Sequence, residues 1–327
     1  MSKRNLLVYD GRRQRRFANG RGLEGFRRYL GSNFRMEEVV LIFEPTGPYS
    51  SPLLDLAARL SLGIYVVNPA QAHFFSKAIG FRSKTDSSDV GSLYEFGKLL
   101  ASRGIKPAKV EEGMRRVWSY LSSYCHFRKL AQALRNHLEA ISFSGYVERG
   151  YAEKIGEEAE RLEGLAEEAF ERAREWVLAD ESMREGYDRL RTIAGIGEKT
   201  ALWLVWFFSR YSGAGRRQIV ALCGLDVVEK QSGASLLSRP HISKKGHSAM
   251  RSQLYFPTLT AIKHNPAIAA FYQKLLRRGK KRKLAVIACM RKPLLLAYAI
   301  WKSSQNWDKE RAVKYASNLS LDFQDSI

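Results

Sequence analysis

The first hundred residues alternate between short apolar runs and stretches in which apolar residues recur at helical spacing. The runs at 39–43 and 64–67 are followed by Glu-Pro and Asn-Pro, and the run at 5–9 is followed by Asp-Gly. Such bounded runs predict β-strands. Between them, residues 23–30 and 53–60 carry Leu and Phe on one helical face. Strands alternating with helices predict an α/β layer with at least one parallel pair.

A basic hairpin is predicted at the start of the chain. Asp10-Gly11 is a dipeptide typical of hairpin turns, and it follows the strand predicted at 5–9. The return strand is predicted at 12–17, where four of the six residues are arginine.

The pattern becomes helical from about residue 106 to residue 190. Residues 152–176 are dense in Glu, Lys and Arg, with Leu162, Leu165, Ala166 and Phe170 beneath them. This predicts a long, solvated helix, either in a coiled coil that makes a dimer or packed on its own domain. The heptads are too few to choose between the two.

The last third is also helical, with apolar helices predicted at 202–208, 255–262, 267–276 and 284–301. The last of these is the longest candidate for a membrane span, but Arg291-Lys292-Pro293 interrupts it, so the sequence argues against a transmembrane helix.

Three widely spaced cysteines, Cys125, Cys223 and Cys289, are typical of reduced thiols. Together with the lack of a signal-peptide pattern, they favour a cytoplasmic protein.

Charge narrows the class of partner. The 327 residues include 54 Lys and Arg against 33 Asp and Glu, a formal net charge of +21 with a pI near 10.0. Because the cations cluster, a nucleic acid is the favoured partner over an acidic membrane or no partner. The clearest cluster contains Lys280, Lys281, Arg282 and Lys283, suited to a phosphate backbone, although a solvated linker has the same composition.

Three carboxylates form a candidate metal site. Asp86 and Asp89 lie three residues apart after Lys84-Thr85, and Thr85 or Asp86 is a candidate helix N-cap. Glu44 ends the apolar run 39–43, where open α/β sheets place their active sites. A hard divalent cation would relieve the repulsion between the acids. On spacing alone, however, acids that simply favour the helix dipole are the better interpretation.

Two further stretches are candidates for contact with DNA. The segment 194–201 resembles the glycine turn of a helix-hairpin-helix, in which Gly195 and Gly197 would let backbone N–H groups approach a phosphate beside Lys199. Packing alone also explains many such turns.

The second stretch centres on Ser232, in a Gly-containing segment followed by Arg239, Lys244, Lys245 and Arg251. Cations near such a serine would help it attack phosphorus. Ordinary turn chemistry with a non-covalent basic loop is the competing interpretation.

Taken in order, these motifs resemble a known family. The set comprises Glu44-Pro45-Thr46-Gly47, Val67-Asn68-Pro69, Lys84-Thr85-Asp86 with Asp89, Ala194-Gly195-Ile196-Gly197, Cys223-Gly224-Leu225, Gln231-Ser232-Gly233-Ala234-Ser235, Ile242-Ser243-Lys244-Lys245-Gly246-His247 and Met290-Arg291-Lys292. The chain is similar over nearly its whole length to the insertion-sequence family called one-ten, whose transposases are bridge-RNA-guided DEDD/serine recombinases.

The resemblance implies an α/β plus α architecture. A RuvC-like ribonuclease-H-fold DEDD domain would occupy 1–105, a coiled-coil and dimerisation region 106–190, and a helical serine transposase domain with the helix-hairpin-helix 191–327. Glu44, Asp86 and Asp89 would take three of the four Mg²⁺-binding acid positions, and Ser232 the nucleophile position. A structured guide RNA would pair with double-stranded donor and target DNA, and the protein would form a dimer or tetramer acting at the bacterial nucleoid.

The chain departs from the family at its first acid. Only sixteen residues precede Phe17-Ala18-Asn19, which matches the end of the family's first hairpin, so the strand bearing the first aspartate is expected to be absent. Asp10 matches the turn instead. A start codon assigned too far downstream, or a decayed copy that binds without cutting, would each explain this. A metal-dependent junction nuclease and a site-specific invertase are two further candidate functions. The sequence does not reveal the sequence of the guide RNA or of the target site.

Overall fold

The computed structural model describes residues 1–20, 23–80, 85–228, 231–232, 236–237 and 240–308. For 86–87, 231–232 and 236–237 it describes the backbone only. The chain divides into two compact units, Met1–Arg115 and Arg116–Ile327. The predicted three-part division stays a prediction.

The first unit is a mixed α/β layer. Its elements are β1 (Asn5–Tyr9), β2 (Gln14–Ala18), α1 (Glu24–Asn33), β3 (Val40–Phe43), α2 (Ser51–Arg59), β4 (Gly63–Val66), α3 (Pro69–Ala78) and α4 (Asp86–Ser102). Short 3₁₀ turns at Met36–Glu38 and Gly47–Ser50 precede β3 and α2. The predicted alternation of strands and helices is therefore confirmed.

The strands form two pairs. β1 and β2 are antiparallel, from Asn5 opposite Ala18 to Tyr9 opposite Gln14, whereas β3 and β4 are parallel. Within the described residues each pair is a separate two-stranded sheet, and α4 packs on both β1 and β3. Apolar side chains of β1, α1, β3, α2 and β4 meet in one core, which includes Leu6, Phe26, Leu30, Phe43, Leu56 and Ile64. The predicted parallel pair is present, while the RuvC-like fold remains a proposal.

Two local predictions need correction. The return strand begins at Gln14 rather than at residue 12, because the carboxylate of Asp10 accepts hydrogen bonds from the backbone N–H groups of Arg12 (2.8 Å) and Arg13 (2.7 Å) and holds both in the turn. Asn68-Pro69 closes a strand as expected, but it also begins α3, which the apolar pattern did not predict. Asn68 accepts the Ala70 N–H at 2.9 Å as N-cap, with Pro69 at the first helical position.

The second unit is mainly helical. α5 (Glu112–Ser142) begins in the first unit and continues here, followed by α6 (Arg149–Ala179), α7 (Glu181–Arg191), α8 (Glu198–Arg210) and α9 (Arg216–Cys223). Four two-residue strands follow, β5 (Val227–Val228), β6 (Gln231–Ser232), β7 (Leu236–Leu237) and β8 (His241–Ile242). The remaining elements are α10 (Ser248–Gln253), α11 (Tyr255–His264), α12 (Pro266–Arg277), α13 (Arg282–Cys289) and α14 (Arg291–Ser303).

The charge-dense helix predicted at 152–176 lies within α6, which packs antiparallel on α5 of the same chain. The rings of Tyr124 and Phe170 are 5.7 Å apart, and Arg135 donates to Glu163 at 2.7 Å nearer the connecting loop. The helix therefore packs on its own chain, which is one of the two arrangements that its sequence allows. Dimerisation through it stays a prediction.

α8 is the centre of the second unit. Every residue from Thr200 to Phe208 is buried, including Trp203, Trp206, Phe207 and Phe208, because α6, α7, α10 and α14 all pack around this helix. A helix that is apolar on all sides needs such complete enclosure.

The apolar stretch predicted at 284–301 is two helices, α13 and α14, which meet at Met290. By length and composition alone, Arg282–Ser303 could cross a membrane, but about 50% of its apolar window is buried inside the protein. A core helix has the same character, so this stretch is weak evidence for a membrane span.

Candidate active site and nucleic-acid interface

The first turn of α4 is built by a reciprocal cap. Thr85 Oγ1 accepts the Ser88 backbone N–H at 3.1 Å, and the Thr85 backbone N–H donates to Ser88 Oγ at 3.0 Å. This capping box identifies Thr85, rather than Asp86, as the N-cap. Asp86 is thus the first helical residue, and Asp89 follows in the same turn with a half-buried side chain.

Glu44 directly follows β3, at the carboxyl end of the parallel β3–β4 pair, as predicted. Its side chain is half-buried. Within the part of the chain whose side chains are described, no three His, Cys, Asp or Glu residues are grouped to hold a metal ion. The side chain of Asp86 lies outside that part, so the Mg²⁺ site with Glu44 and Asp89 stays a prediction. Carboxylate oxygens are the donors that Mg²⁺ prefers.

Asp10 is a turn residue. Besides the two backbone N–H groups, its carboxylate accepts a hydrogen bond from the hydroxyl of Tyr29. The Tyr29 bond, followed by that from Arg13, lowers the pKa of Asp10 to about 2. Gly11 beside it has φ +89°, which L-residues with a side chain rarely adopt. These bonds explain why Asp10 is placed at the turn rather than on a strand.

The predicted nucleophile lies in a small region of short β-ladders. The backbone of Ser232, in β6, pairs with Leu236 of β7, and β5 pairs with β8. The ladder of β5 and β8 connects α9 to the segment 243–247, which we call the basic loop. Arg239, predicted as a phosphate contact, lies outside the described residues.

The basic loop is anchored by Ser243 and Asp226. The Ser243 hydroxyl donates to Asp226 Oδ1, and the Ser243 backbone N–H donates to Asp226 O at 2.8 Å. The backbone N–H of Lys245 donates to Ser243 Oγ at 3.3 Å. Lys244 adopts φ +55°, and the side chains of Lys244 and Lys245 are both exposed. The loop therefore presents two cations from a hydrogen-bonded base.

Close backbone packing joins the basic loop to Cys223-Gly224-Leu225. A Cβ on Gly246 would overlap the carbonyl oxygen of Leu222, and one on Gly224, where φ is +70°, would lie 2.7 Å from Gly246 N. Only glycine fits at either position. The sequence contained both motifs, but their contact is decided by the fold.

Arg251 serves this packing. Its Nη1 donates to Cys223 O at 3.0 Å and to Gly246 O at 3.3 Å, so the guanidinium joins the two segments. The predicted contact between Arg251 and phosphate stays a prediction, and the bonds that the structure shows indicate a positioning role.

In the glycine turn between α7 and α8, one glycine is required for packing, and the other lies exposed at the N-terminus of α8. Gly195 has φ +96°, and a Cβ there would lie 2.9 Å from Pro257 O, so this glycine is required for packing against α11. Gly197 is exposed, and a Cβ there would have nothing within 4 Å. Lys199 donates to Glu167 at 2.7 Å, and its ammonium lies 5.2 Å from the centre of the Tyr124 ring. Phosphate binding by this turn stays a prediction.

The basic run between α12 and α13 is fully presented to solvent. Lys281 is the N-cap position of α13, and Lys280, Arg282 and Lys283 are exposed beside it. Exposed cations at the start of one helix suit a phosphate backbone, and nucleic-acid binding by this run stays a prediction.

His247 is a feature that motif reading missed. Its ring lies 4.9 Å from the ring centres of both Trp118 and Trp206, and Nδ1 is buried with no hydrogen-bond partner among the described residues. Burial, followed by the positive charges of Arg210 and Arg251, lowers the pKa of His247 to about 4. The ring is therefore neutral near pH 7. The two tryptophans are 88 residues apart in sequence, so no local signal could have placed them here.

The cysteines are free thiols, as predicted. Burial raises the pKa of Cys223 and of Cys289 to about 12, so neither is a thiolate near neutral pH.

Comparison with known proteins supports a role in DNA recombination. Residues 187–273 match the profile of the Transposase IS116/IS110/IS902 family. The chain is 27% identical over 273 residues to a pilin gene-inverting protein of Moraxella lacunata, covering 82% of each protein. A pilin gene-inverting protein of Moraxella bovis is 26% identical over 271 residues, with the same coverage.

The matched profile includes the end of α7, all of α8 and the basic loop, so it covers the region whose geometry is described above. These matches support a DNA recombination enzyme in general terms, of the transposase or DNA invertase class. The match of residues 187–273 to the IS116/IS110/IS902 transposase family, together with the two relatives, confirms the resemblance found in the ordered motifs.

Proposed function

We propose that this chain is an RNA-guided DNA recombinase of an insertion sequence and that Ser232 is its nucleophile. The Ser232 oxygen would form a bond to a DNA phosphorus while the bond from phosphorus to the 3′ oxygen breaks. The serine proton leaves to solvent or a nearby base, and the departing 3′ oxygen takes up a proton. A phosphoserine conserves the bond energy, so strands can be rejoined without ATP.

The observation that best supports this proposal is the construction of the basic loop. Ser243 and Asp226 anchor its base, and Gly246 packs on Leu222. Lys244 and Lys245 are thereby presented on the segment that follows the β6–β7 ladder of Ser232. Cations held in place before the reaction stabilise the charge that develops on a phosphate without a cost of reorganisation.

The carboxylates are proposed to serve the same reaction. Glu44, Asp86 and Asp89 would hold Mg²⁺, which when bound would polarise the phosphate and favour the ionised serine. Glu44 directly follows β3, and Asp86 and Asp89 lie in the first turn of α4, a helix that packs on β3; this placement supports the assignment.

The partners follow from the charge and the family. Double-stranded donor and target DNA and a structured guide RNA would bind the exposed cations of the basic loop and of residues 280–283. The protein would act as a dimer or tetramer in the cytoplasm. The net charge of +21 supports a polyanionic partner but does not distinguish RNA from DNA.

A second reaction outcome is supported by the relatives' names. Both Moraxella proteins are named as pilin gene-inverting, so inversion of a fixed segment is an alternative to transposition for this chain. The two outcomes use the same strand cleavage and differ in which ends are rejoined. A plasmid carrying candidate sites in inverted orientation would reveal inversion as a changed restriction pattern.

The decisive experiment is a cleavage assay with the purified chain, its cognate RNA, Mg²⁺ and end-labelled DNA, resolved on a denaturing gel without protease. We expect a protein–DNA adduct that disappears in Ser232→Ala. Ser252→Ala is the matched control, because that α10 hydroxyl only donates to Ala249 O at 2.8 Å. Cleavage by Ser232→Ala without an adduct would instead indicate a metal-dependent junction nuclease. No adduct despite tight RNA binding would indicate a relative that binds without cutting.

A further inference from the structure

A wide-mouthed surface pocket of about 760 Å³ lies between the end of α8, α9 and the basic loop. Its lining includes Tyr211, Gly213, Gln218, Leu222, Lys245 and His247, and we call it the α9 pocket. Pockets of about 300 to 1,000 Å³ hold small organic ligands. Apart from Lys245 and Gly246 of the basic loop, its lining residues take no part in the roles proposed above.

One wall of the α9 pocket is held by α14. The Tyr298 hydroxyl donates to Ala214 O, and Lys302 Nζ donates to Ser212 O at 2.6 Å. Within the wall, the Tyr211 ring lies 5.1 Å from the Phe207 ring in an edge-on arrangement. The segment 211–214 is therefore held in place without a ligand.

The opposite wall is held by α9 and α10. The His247 backbone N–H donates to Leu222 O at 2.7 Å, and Arg251 donates to Gly246 O at 3.3 Å. The His247 ring packs edge-on against the stacked rings of Trp118 and Trp206. Because both walls are formed in advance, a ligand would not have to order them, and that favours binding.

The lining combines flat and aliphatic surfaces with one cation at the edge. Tyr211 and His247 contribute rings, Leu222 and two alanines contribute aliphatic surface, and Lys245 contributes an exposed ammonium. The Arg210 guanidinium lies 5.6 Å from the centre of the Tyr211 ring, which adds positive charge on that side. This is the chemistry that an aromatic base with an attached phosphate requires.

We infer that the α9 pocket receives one unstacked nucleotide of the bound strand, with its base against Tyr211 and Leu222 and its phosphate beside Lys245. A base within a duplex cannot enter such a cavity unless it turns out of the stack. A nucleotide held here would fix the register of the strand relative to the basic loop. The inference rests on the proposed action on nucleic acid, but it concerns binding and not cleavage.

The test compares two fluorescein-labelled 12-nucleotide strands that differ only in their bases. One is ordinary single-stranded DNA and the other carries an abasic site at every position, so the phosphate charge is the same. Stacking of a single base commonly contributes about tenfold or more in affinity. We expect the wild-type chain to bind the ordinary strand at least about tenfold more tightly.

Gly213→Trp tests whether that preference arises in the pocket. Gly213 lines the pocket and is exposed, and a Cβ there would have nothing within 4 Å, so an indole can be placed at the pocket lining without displacing the backbone. We expect the preference for bases to fall to within about twofold while abasic binding is unchanged. Gly164→Trp, at an exposed glycine of α6 that also has open space, is the matched control and should keep the full preference.

Tyr211→Ala provides a second variant that removes a ring instead of adding one, and it should also reduce the preference. Circular dichroism would confirm that each variant is folded. An equal affinity of the wild type for both strands, or an undiminished preference in both pocket variants, would overturn the inference. The adduct assay is a separate readout, so an adduct without any base preference would contradict only the α9 pocket proposal.

Discussion

Gly246 lies so close to Leu222 that a single added carbon would overlap the Leu222 carbonyl oxygen. The contact joins two motifs that are more than twenty residues apart in sequence, and it directs Lys244 and Lys245 of the basic loop. Because the contact leaves no room for a Cβ, position 246, between Lys245 and the half-buried His247, requires glycine.

Replacing Gly246 with alanine should therefore displace the basic loop. We expect a loss of about 2 to 3 kcal/mol in the free energy of unfolding, because the added carbon meets backbone and not a movable side chain. Urea unfolding followed by circular dichroism would measure it.

Gly164→Ala is the control for this measurement. It lies on the exposed face of α6 with nothing near its Cβ, and it should stabilise the protein by up to about 1 kcal/mol. Equal stability of Gly246→Ala and the wild type would show that the loop can move away from α9 at no cost.

The lowered pKa of His247 makes stability depend on pH in a defined direction. In the unfolded chain this histidine binds a proton below about 6.5, whereas in the folded chain it stays neutral until about pH 4. The unfolded state thus holds more protons between these values, so stability is complete above pH 6.5 and falls as the pH decreases toward 4.

The expected loss is roughly 2 to 3 kcal/mol, read from urea midpoints across that pH range. His247→Phe keeps a ring against Trp118 and Trp206 without a titrating group, so it should flatten this part of the profile. An unchanged slope in His247→Phe would mean that other groups cause the pH dependence.

Asp86→Asn should abolish DNA cleavage while RNA binding survives, because the amide keeps the size of the side chain but removes a charge that Mg²⁺ requires. We expect a decrease of at least about a hundredfold in adduct formation. Glu95→Gln, on the same helix and paired with Lys98 at 3.1 Å, is the control and should retain activity. Cleavage by Asp86→Asn at the wild-type rate would mean that the acids of the first turn serve only the helix.

Replacing both Lys281 and Lys283 with glutamine should weaken nucleic-acid binding in a salt-dependent way. Each phosphate contact contributes about 0.9 to the slope of log K against log salt concentration, so the slope should decrease by about 2. Fluorescence anisotropy at several salt concentrations would measure it. Lys154→Gln, at an exposed lysine of α6, is a matched control; a slope that changes equally there would mean that total charge, and not residues 280–283, governs binding.

Local signals determined most of the secondary structure. The run at 5–9 became β1 with the same bounds, and the periodic acids after Thr85 became the capped start of α4, because strands and helix caps depend on residues close in sequence. The exceptions are also local. The Asp10 carboxylate shortened β2 and the Asn68 cap began α3, since single side-chain hydrogen bonds outweigh the apolar pattern at the ends of elements.

The ordered motifs in the sequence were sufficient to find the family resemblance that the match of residues 187–273 supports, and the net charge was sufficient to indicate a polyanionic partner. Only the tertiary structure decided which motifs meet: Gly246 against Leu222, Asp226 with Ser243, and His247 beside two tryptophans distant in sequence. It also shows that Arg251 donates to backbone carbonyl oxygens and Lys199 to a carboxylate of the same chain, whereas the sequence shows both residues only as cations. Contacts of this kind arise from close packing in three dimensions, and no spacing along the chain specifies them.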